Sequence, residues 1–361
     1  MGAIMSDNKL KTAVLGAEGK GLQLVEAAVG TGLYEIVAAS DRDPERLKGI
    51  ASEYKCSSYE DYRQLVVRNS VDVLFVGAPI YLFADQVKAA IEKKFNVLKL
   101  VPPGLNFEQT AGFVELARKK GVRYSVANTS RYSPGFNRLR EYLETRQLSE
   151  FHLITATCHQ PDLLDDIRDR WLSDPQLAGG GVVLRSCYEL IDQIILGFGI
   201  PQQVYSVNTN HAPDRQQRLS ITEDTAVLTM RFSDTLLCSV VASRTFGPPE
   251  RQICLHSDDA FITVSENRFV VCDNHGKVIE KTEFDTTEAE SRTKMLEDFA
   301  AKILSEGKAG STLPDSDIVN MAVIESAYLS ARTGMAENPG RLLEMVRTEP
   351  VDWKSAARKI V

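Results

Sequence analysis

A glycine-rich turn near the start of the chain is the first feature that could do chemistry. It follows a short apolar stretch, precedes a helical pattern, and consists of Gly16, Ala17, Glu18, Gly19, Lys20 and Gly21. Against the dinucleotide pattern G-x-G-x-x-G, the first and third glycines stand at Gly16 and Gly21. Such a turn holds a pyrophosphate against the N-terminus of the following helix. We therefore predict a site for NAD or NADP.

Two neighbouring positions leave the choice of cofactor open. Glu18 stands where the second glycine is expected, and its carboxylate adds bulk and negative charge beside a pyrophosphate, although Gly19 could let the loop shift. Asp41 could accept hydrogen bonds from the adenosine ribose, or it could only cap the turn into the next helix. Arg42 could instead pair with a 2′-phosphate, so NAD and NADP both remain open.

The elements that would position this turn alternate between strand and helix. Apolar stretches at 11–17, 35–40, 71–77, 96–100 and 123–126 predict strands. Helical patterns lie at 21–29, from Asp43 onward, and at 82–94 and 107–119. This alternation favours a parallel sheet covered on both faces, with ligands at the carboxyl ends of the strands. We predict an α/β Rossmann-type N-terminal domain at residues 1–127.

The remainder, residues 128–361, has a β-rich pattern. Strands are predicted at 151–157, 203–210, 225–232, 236–243, 252–256, 261–264 and 269–272, and helices at 188–196, 294–304 and 316–332. This pattern predicts an α+β C-terminal domain with a large, mostly antiparallel open sheet. A bare sheet face needs a cover, so we expect a homodimer or homotetramer through this sheet. The tail 347–361 is expected to be a peripheral extension.

Composition narrows the classes of partner. The 361 residues carry a net charge of -7, which argues against nucleic acid because phosphate binding needs clustered Lys and Arg. No apolar stretch is long enough to span a bilayer, and the first residues lack the plan of a signal peptide. The six cysteines are scattered without a C-x-x-C pair. We therefore expect a cytoplasmic protein with reduced thiols, no membrane partner and no metal site.

Several stretches, taken together, resemble one known family over almost the whole chain. They are Asp41-Arg42-Asp43-Pro44-Glu45-Arg46, Ala78-Pro79, Val97-Leu98 with Pro102, Asn128 with Arg131-Tyr132-Ser133-Pro134, Trp171 with Gly179-Gly180-Gly181, Asp192, Glu223-Asp224-Thr225-Ala226, and Ala327 to Gly334. The family is the Gfo/Idh/MocA oxidoreductases. The resemblance implies hydride transfer between a nicotinamide and a carbon that bears oxygen, and it adds Ala78, Pro79 and Pro102 to the expected cofactor site.

The residues that carry out this family's proton transfer are missing. Its E-K-P signature falls on Leu100-Val101-Pro102, so the lysine position is Val101. Its D-x-x-x-H signature falls on the stretch from Arg185 to Glu189, so the aspartate position is arginine and the histidine position is glutamate. Losing a general acid or base costs about 10²- to 10⁴-fold in rate. The departures predict lost or altered catalysis.

Three residues are candidates to replace the missing groups. Lys99 shares the strand face of Val101, but it could also be a structural lysine. Glu189 could act as a base if burial raised its pKa, or it could form an ion pair with Arg185 four residues earlier, which we favour. Tyr188 is a further candidate donor, although a packed tyrosine is the commoner outcome.

The expected substrate cleft contains Arg131, His159, Trp171 and Arg185, of which Trp171 is more often packing than stacking. The cations would suit an anionic small molecule, or the ligand could be sugar-like. Three functions stay open. The first is a non-catalytic descendant that still binds NAD(P) or a metabolite. The second is an enzyme on an unusual substrate, as in the biliverdin reductases, which resemble this fold. The third is a sugar, inositol or amino-sugar dehydrogenase that uses Lys99 or Glu189.

Overall fold

The computed structural model describes residues 9–147, 150–161, 171–211, 222–245, 247–305 and 316–346, and the predicted tail 347–361 lies outside them. The chain divides into two compact units. The first unit comprises Met1–Gly104, Ala111–Asn128 and Thr287–Gly310, and the second comprises Leu105–Thr110, Thr129–Thr286 and Ser311–Val361. The predicted domains 1–127 and 128–361 differ from these units chiefly in the placement of Thr287–Gly310.

A six-stranded parallel sheet forms the centre of the first unit. Its strands are β1 (Leu10–Leu15), β2 (Tyr34–Ser40), β3 (Ser57–Tyr59), β4 (Val73–Val76), β5 (Asn96–Leu100) and β6 (Tyr124–Ala127). Their order is β3-β2-β1-β4-β5-β6, and every neighbouring pair is parallel. The order reverses between β1 and β4, which is where such sheets bind nucleotides. This confirms the predicted Rossmann-type architecture.

Helices follow the strands of the first half of the chain. They are α1 (Lys20–Gly30), α2 (Pro44–Tyr54), α3 (Tyr62–Arg68), α4 (Ile80–Glu92) and α5 (Phe107–Lys120). Helix α2 begins as predicted, because the Asp43 carboxylate accepts hydrogen bonds from the N–H groups of Glu45 and Arg46 and Pro44 occupies the first turn. A buried apolar cluster joins α1 and α2 to the sheet and consists of Val14, Ala17, Val25, Ile36, Ala39, Leu47 and Ile50.

An eight-stranded, mostly antiparallel sheet dominates the second unit and confirms the predicted α+β architecture. Its strands are β7 (Phe151–His159), β8 (Gln203–Thr209), β9 (Thr225–Arg231), β10 (Leu237–Ser243), β11 (Glu250–Ser257), β12 (Ala260–Ser265), β13 (Arg268–Asp273) and β14 (Val278–Glu283). The order is β14-β13-β12-β11-β7-β10-β9-β8, and only β7 and β10 pair in parallel among these strands. The pairs β9–β10 and β13–β14 form antiparallel hairpins.

The helices of the second half are α6 (Pro134–Glu144), α7 (Pro175–Ala178), α8 (Val182–Arg185), α9 (Tyr188–Phe198), α10 (Glu288–Leu304), α11 (Ser316–Thr333) and α12 (Pro339–Val346), preceded by a 3-10 turn at Thr129–Tyr132. Helix α10 belongs to the first unit, where the Tyr34 hydroxyl donates a hydrogen bond of 2.6 Å to the Leu296 carbonyl. Within the described residues, no helix is both long enough and apolar enough to cross a membrane.

The eight-stranded sheet has one buried face and one open face. Side chains alternate along β8, β9 and β10, so that Leu228 and Val240 are buried whereas their sequence neighbours are exposed or half-buried. A row of valines crosses the open face, because Val241 pairs with Val227 and Val227 pairs with Val207. The open face therefore carries an apolar patch.

Candidate functional site

Three glycines bring the turn after β1 against the turn after β4. Gly16 has a φ of +79°, and a Cβ there would lie 2.5 Å from the Ala78 nitrogen. A Cβ on Gly21 would lie 2.8 Å from the Gly16 oxygen, and one on Gly77 would lie 2.5 Å from it. These distances are too short for any side chain. The close backbone approach explains why glycine stands at Gly16 and Gly21.

The N-terminus of α1 is open to an acceptor from outside the helix. Gly19 is its N-cap and makes no side-chain hydrogen bond, and the first turn contains no acidic residue. A helix N-terminus presents N–H groups and a partial positive charge. The turn therefore fits a pyrophosphate, as the sequence predicts.

The Glu18 carboxylate is held by two arginines at the start of α2. It lies 3.0 Å from Arg42 Nη2 and 3.4 Å from Arg46 Nη2, and the Glu18 side chain is 43% exposed. Its negative charge is therefore partly neutralised beside the turn. The same pairing occupies Arg42, the residue predicted to meet a 2′-phosphate.

Asp41 is buried and links the glycine-rich turn to the start of α2. Its Oδ2 accepts a hydrogen bond of 2.8 Å from the Ala17 N–H, and its Oδ1 accepts bonds of 2.9 Å from the Asp43 N–H and from Arg46 Nη1. These contacts correspond to the capping role that the sequence left open. The predicted bond to a ribose hydroxyl stays a prediction.

Lys99, a candidate for proton transfer, is buried in the first unit and 2% exposed. Its Nζ donates a hydrogen bond of 2.8 Å to the Leu100 carbonyl and lies 4.7 Å from the centre of the Phe83 ring. Val101 and Pro102 follow through a cis peptide bond. On the other side of the turn, the Ala78 N–H bonds to the Leu15 carbonyl, and Pro79 is the N-cap of α4.

Glu189 lies in the second unit and is paired with an arginine that the sequence did not indicate. Its Oε2 is 2.7 Å from Arg251 Nη1, and its Oε1 accepts a hydrogen bond of 3.3 Å from the Thr129 N–H. The prediction that Glu189 pairs with Arg185 is wrong, because Glu189 pairs with Arg251. Arg185 ends α8 and Glu189 belongs to the separate helix α9, so the i,i+4 geometry of one helix does not apply.

The Arg251 guanidinium makes further contacts, 3.3 Å to Glu266 and 3.3 Å to the side-chain oxygen of Gln160. Burial is the largest single influence and lowers the Arg251 pKa, but the Glu189 and Glu266 carboxylates and Cys158 together outweigh it, so the pKa is raised. Arg185 contacts another predicted residue, Trp171, with its guanidinium carbon 5.0 Å from the centre of the ring.

Tyr188 and Arg131 belong to buried polar pairs of the second unit. The Tyr188 hydroxyl donates a bond of 2.7 Å to Asp317 Oδ1, and burial, followed by this carboxylate, raises its pKa well above the ordinary value. Arg131 Nε lies 2.7 Å from Asp192 Oδ2, and Asp192 also accepts a bond of 2.6 Å from Asn320. The Arg131 charge is therefore neutralised inside the fold rather than left for a ligand.

His159, at the end of β7, lies against a tight turn: a Cβ on Gly247, whose φ is +83°, would be 2.7 Å from His159 Nδ1. The structure gives this histidine no catalytic partner among the described contacts.

The triple glycine of residues 179–181 packs against Glu223 and Tyr328. The Glu223 carboxylate accepts bonds of 2.9 and 3.0 Å from the Gly181 and Val183 N–H groups and one of 2.8 Å from the Tyr328 hydroxyl. Burial raises the pKa of Glu223, and these hydrogen bonds oppose the shift. Sequence reasoning noted these residues only as parts of family-like stretches, and their shared role is to hold α8 in place.

Comparisons with known proteins agree with this architecture. The family described as "Oxidoreductase family, NAD-binding Rossmann fold" matches residues 10–128, and the "GFO/IDH/MocA C-terminal domain" matches residues 136–276. The D-xylose 1-dehydrogenase (NADP(+)) 2 of Haloferax volcanii is 28% identical over 339 residues, which is 90% of this chain and 98% of that protein.

Solved structures show the same fold. A levoglucosan dehydrogenase in complex with NADH and levoglucosan has a TM-score of 0.81 at 16% identity, covering 92% of this chain and 99% of its own. The WlbA dehydrogenase from Bordetella pertussis, in complex with NADH and UDP-GlcNAcA, has a TM-score of 0.76 at 16% identity. The match covers 96% of this chain and 100% of that one. At this level of identity, the likeness concerns the fold alone.

Proposed function

Because this chain belongs to the Gfo/Idh/MocA family of oxidoreductases, we propose that it binds NAD or NADP but lacks the side-chain proton transfer of an ordinary sugar dehydrogenase. The observation that carries this proposal is the pairing of Glu189 with Arg251 at 2.7 Å. Glu189, the carboxylate at the lost histidine position, is thus already committed to a structural contact.

The residues of the first unit fit the cofactor. The turn from Gly16 to Gly21 and the N-terminus of α1 would hold the pyrophosphate, and Glu18, Asp41 and Arg42 would lie at the adenosine ribose. When bound, the nicotinamide supplies a hydride donor or acceptor. The chain's own contribution is binding and orientation, since the Lys99 ammonium is held by the Leu100 carbonyl and the Tyr188 hydroxyl by Asp317.

Calorimetry with NAD⁺, NADH, NADP⁺ and NADPH, followed by turnover assays on D-xylose and a panel of polyols, tests this proposal. We expect saturable binding of at least one cofactor and turnover about 10²- to 10⁴-fold below that of an enzyme with intact general acid–base groups. Absence of all cofactor binding would contradict the proposal. Oxidation of D-xylose at an ordinary rate, about 1 to 10³ s⁻¹, would do so as well.

The second candidate is an active NAD(P)-dependent oxidoreductase on a sugar-like substrate, with Lys99 or Glu189 as the substitute group. It is favoured by the 28% identity to a D-xylose 1-dehydrogenase over nearly its full length. Lys99→Met and Glu189→Gln distinguish the two candidates. In the second case, one of these variants loses turnover while calorimetry still shows cofactor binding.

We further propose a homodimer or homotetramer formed through the open face of the eight-stranded sheet. The row Val207, Val227 and Val241 is exposed in one protomer, with 57%, 43% and 41% of each residue accessible. A second copy would remove this patch from water. Light scattering should show an oligomer, and Val227→Glu should dissociate it without loss of helix content. A monomeric wild-type protein would contradict this assignment.

We also propose a cytoplasmic location, because the described cysteines form no disulfide. Cell fractionation tests this proposal.

A further inference from the structure

Arg244 is a buried cation that forms no ion pair with the residues that the structure describes. It directly follows β10 and is 4% exposed. In the part of the chain that the structure describes, its Nε and Nη2 atoms are buried without any hydrogen-bond partner. A buried charge without a partner costs several kcal/mol, on the order of the stability of a whole domain.

The two carboxylates of the neighbouring segment, Glu223 and Asp224, bind other groups. The Arg244 N–H donates a hydrogen bond of 2.9 Å to the Asp224 carbonyl, so the two residues are neighbours through their main chains. The Asp224 carboxylate, however, accepts bonds of 2.6 Å from the His211 N–H and 2.9 Å from the Thr225 hydroxyl. The Glu223 carboxylate accepts hydrogen bonds from main-chain N–H groups at the start of α8 and from the Tyr328 hydroxyl.

Two half-buried arginines of the second unit show what Arg244 lacks. Arg131 is paired with Asp192 at 2.7 Å, and Arg251 is paired with Glu189 at 2.7 Å. Carboxylates neutralise these two guanidinium groups, whereas Arg140 is held by neutral acceptors, the Gln193 and Asn137 side chains and the Arg131 carbonyl. Arg244 differs from all three because its buried Nε and Nη2 atoms meet no acceptor among the described residues, and an anion from outside the chain would supply one.

The surroundings of Arg244 contain residues already expected to meet a ligand. The segment from Thr222 to Asp224 runs beside Arg244, and the Thr222 N–H donates a bond of 3.1 Å to the Ser173 carbonyl. That hydrogen bond links the segment to the stretch that begins at Trp171. The Arg185 guanidinium lies over the Trp171 ring. These main-chain bonds connect the segment after β10 to the stretch around Trp171, whereas Arg131, predicted to meet an anion, is neutralised by Asp192.

We propose that Arg244 binds a negatively charged oxygen group, a carboxylate or a phosphate, of a small-molecule ligand. A guanidinium matches either group with two parallel, charge-assisted hydrogen bonds. The inference rests on the proposed function only in taking the ligand to be a small polyhydroxy compound. It requires neither cofactor binding nor turnover.

Thermal unfolding and calorimetry of the full chain, without cofactor, test the proposal with three probes. D-glucuronate carries a carboxylate, D-glucose 6-phosphate carries a phosphate, and D-glucose carries neither. We expect at least one charged probe to bind and raise the Tm, and neutral glucose to have no such effect. Arg244→Gln should weaken that binding about 10- to 100-fold. The matched control is Arg231→Gln, because Arg231 is an exposed arginine of the same sheet.

A second measurement separates a ligand site from a structural role. Arg244→Met should keep or raise the Tm of the ligand-free protein, since an apolar side chain removes an unpaired buried charge. A fall of several degrees would show that the guanidinium serves the fold, and it would overturn the proposal. The proposal is also overturned if none of the charged probes binds, or if glucose binds equally well. The proposal would also be overturned if Arg244→Gln bound the charged probe as tightly as the wild type does. Absence of NAD(P) binding, by contrast, would affect only the proposed function.

Discussion

Replacing Glu189 by Gln tests the ion pair on which the proposed function depends. The Glu189 and Arg251 side chains are 10% and 18% exposed, so water screens the pair little. Gln keeps the shape of the side chain and an oxygen for the Thr129 N–H. The substitution therefore removes the negative charge with little change in packing.

The expected loss follows from the contacts that remain. Removing one partner of a buried ion pair costs about 3–5 kcal/mol. Arg251 keeps its contact of 3.3 Å with Glu266, but that carboxylate is 40% exposed and compensates only in part. We therefore expect Glu189→Gln to lower the free energy of unfolding by about 2–3 kcal/mol.

Urea unfolding of wild type, Glu189→Gln, Arg251→Met and the double variant measures this effect. The double-mutant cycle should give a coupling of about 1.5–2.5 kcal/mol. The control is Glu280→Gln, which breaks the pair with Arg138, where both side chains are 33% exposed. This control should cost less than about 1 kcal/mol.

A different outcome would refute the structural interpretation of Glu189. If Glu189→Gln changed the free energy of unfolding by less than about 0.5 kcal/mol and the coupling were zero, the pair would not stabilise the fold. If turnover were lost at the same time, Glu189 would instead be the proton-transfer group. The second candidate function would then replace the first.

Three further predictions concern the turn, the cofactor choice and the buried tyrosine. Gly16→Ala should lower stability by about 2–4 kcal/mol and abolish NAD(P) binding in calorimetry, because of its φ of +79° and the 2.5 Å approach to a backbone nitrogen. In Gly112→Ala, the control, a Cβ meets nothing within 4 Å, and stability should be unchanged or raised. Glu18→Gly should release Arg42 and tighten NADP⁺ relative to NAD⁺ about 10-fold in calorimetry, and an unchanged ratio of Kd values would contradict the role given to Glu18. Tyr188 has a raised pKa in the folded state, so its contribution to stability is full below the unfolded pKa of about 10 and is lost as pH rises above it. Tyr188→Phe should therefore reduce the alkaline loss of stability seen in thermal unfolding, and an identical loss in both proteins would count against this assignment.

The local pattern of the chain predicted much of the architecture, because strand and helix periodicity depends on nearby residues. The Asp43-Pro44 start of α2 and the glycine turn were both recognisable from local residue types. Edge strand β14 was missed because its side chains are largely exposed and polar, and α8 was missed because one turn of helix carries too little periodicity.

The sequence by itself determined the family resemblance, the strand and helix alternation of the N-terminal half and the absence of the usual lysine at Val101. Only the tertiary structure decided which charges are neutralised. Glu189 meets Arg251 across 62 positions of sequence, whereas the nearby Arg185 stacks on Trp171. Arg244 was not singled out from the sequence at all. The physical reason is that a side chain's local spacing specifies neighbours within one helix or strand, whereas burial and ion pairing depend on which distant elements the fold brings together.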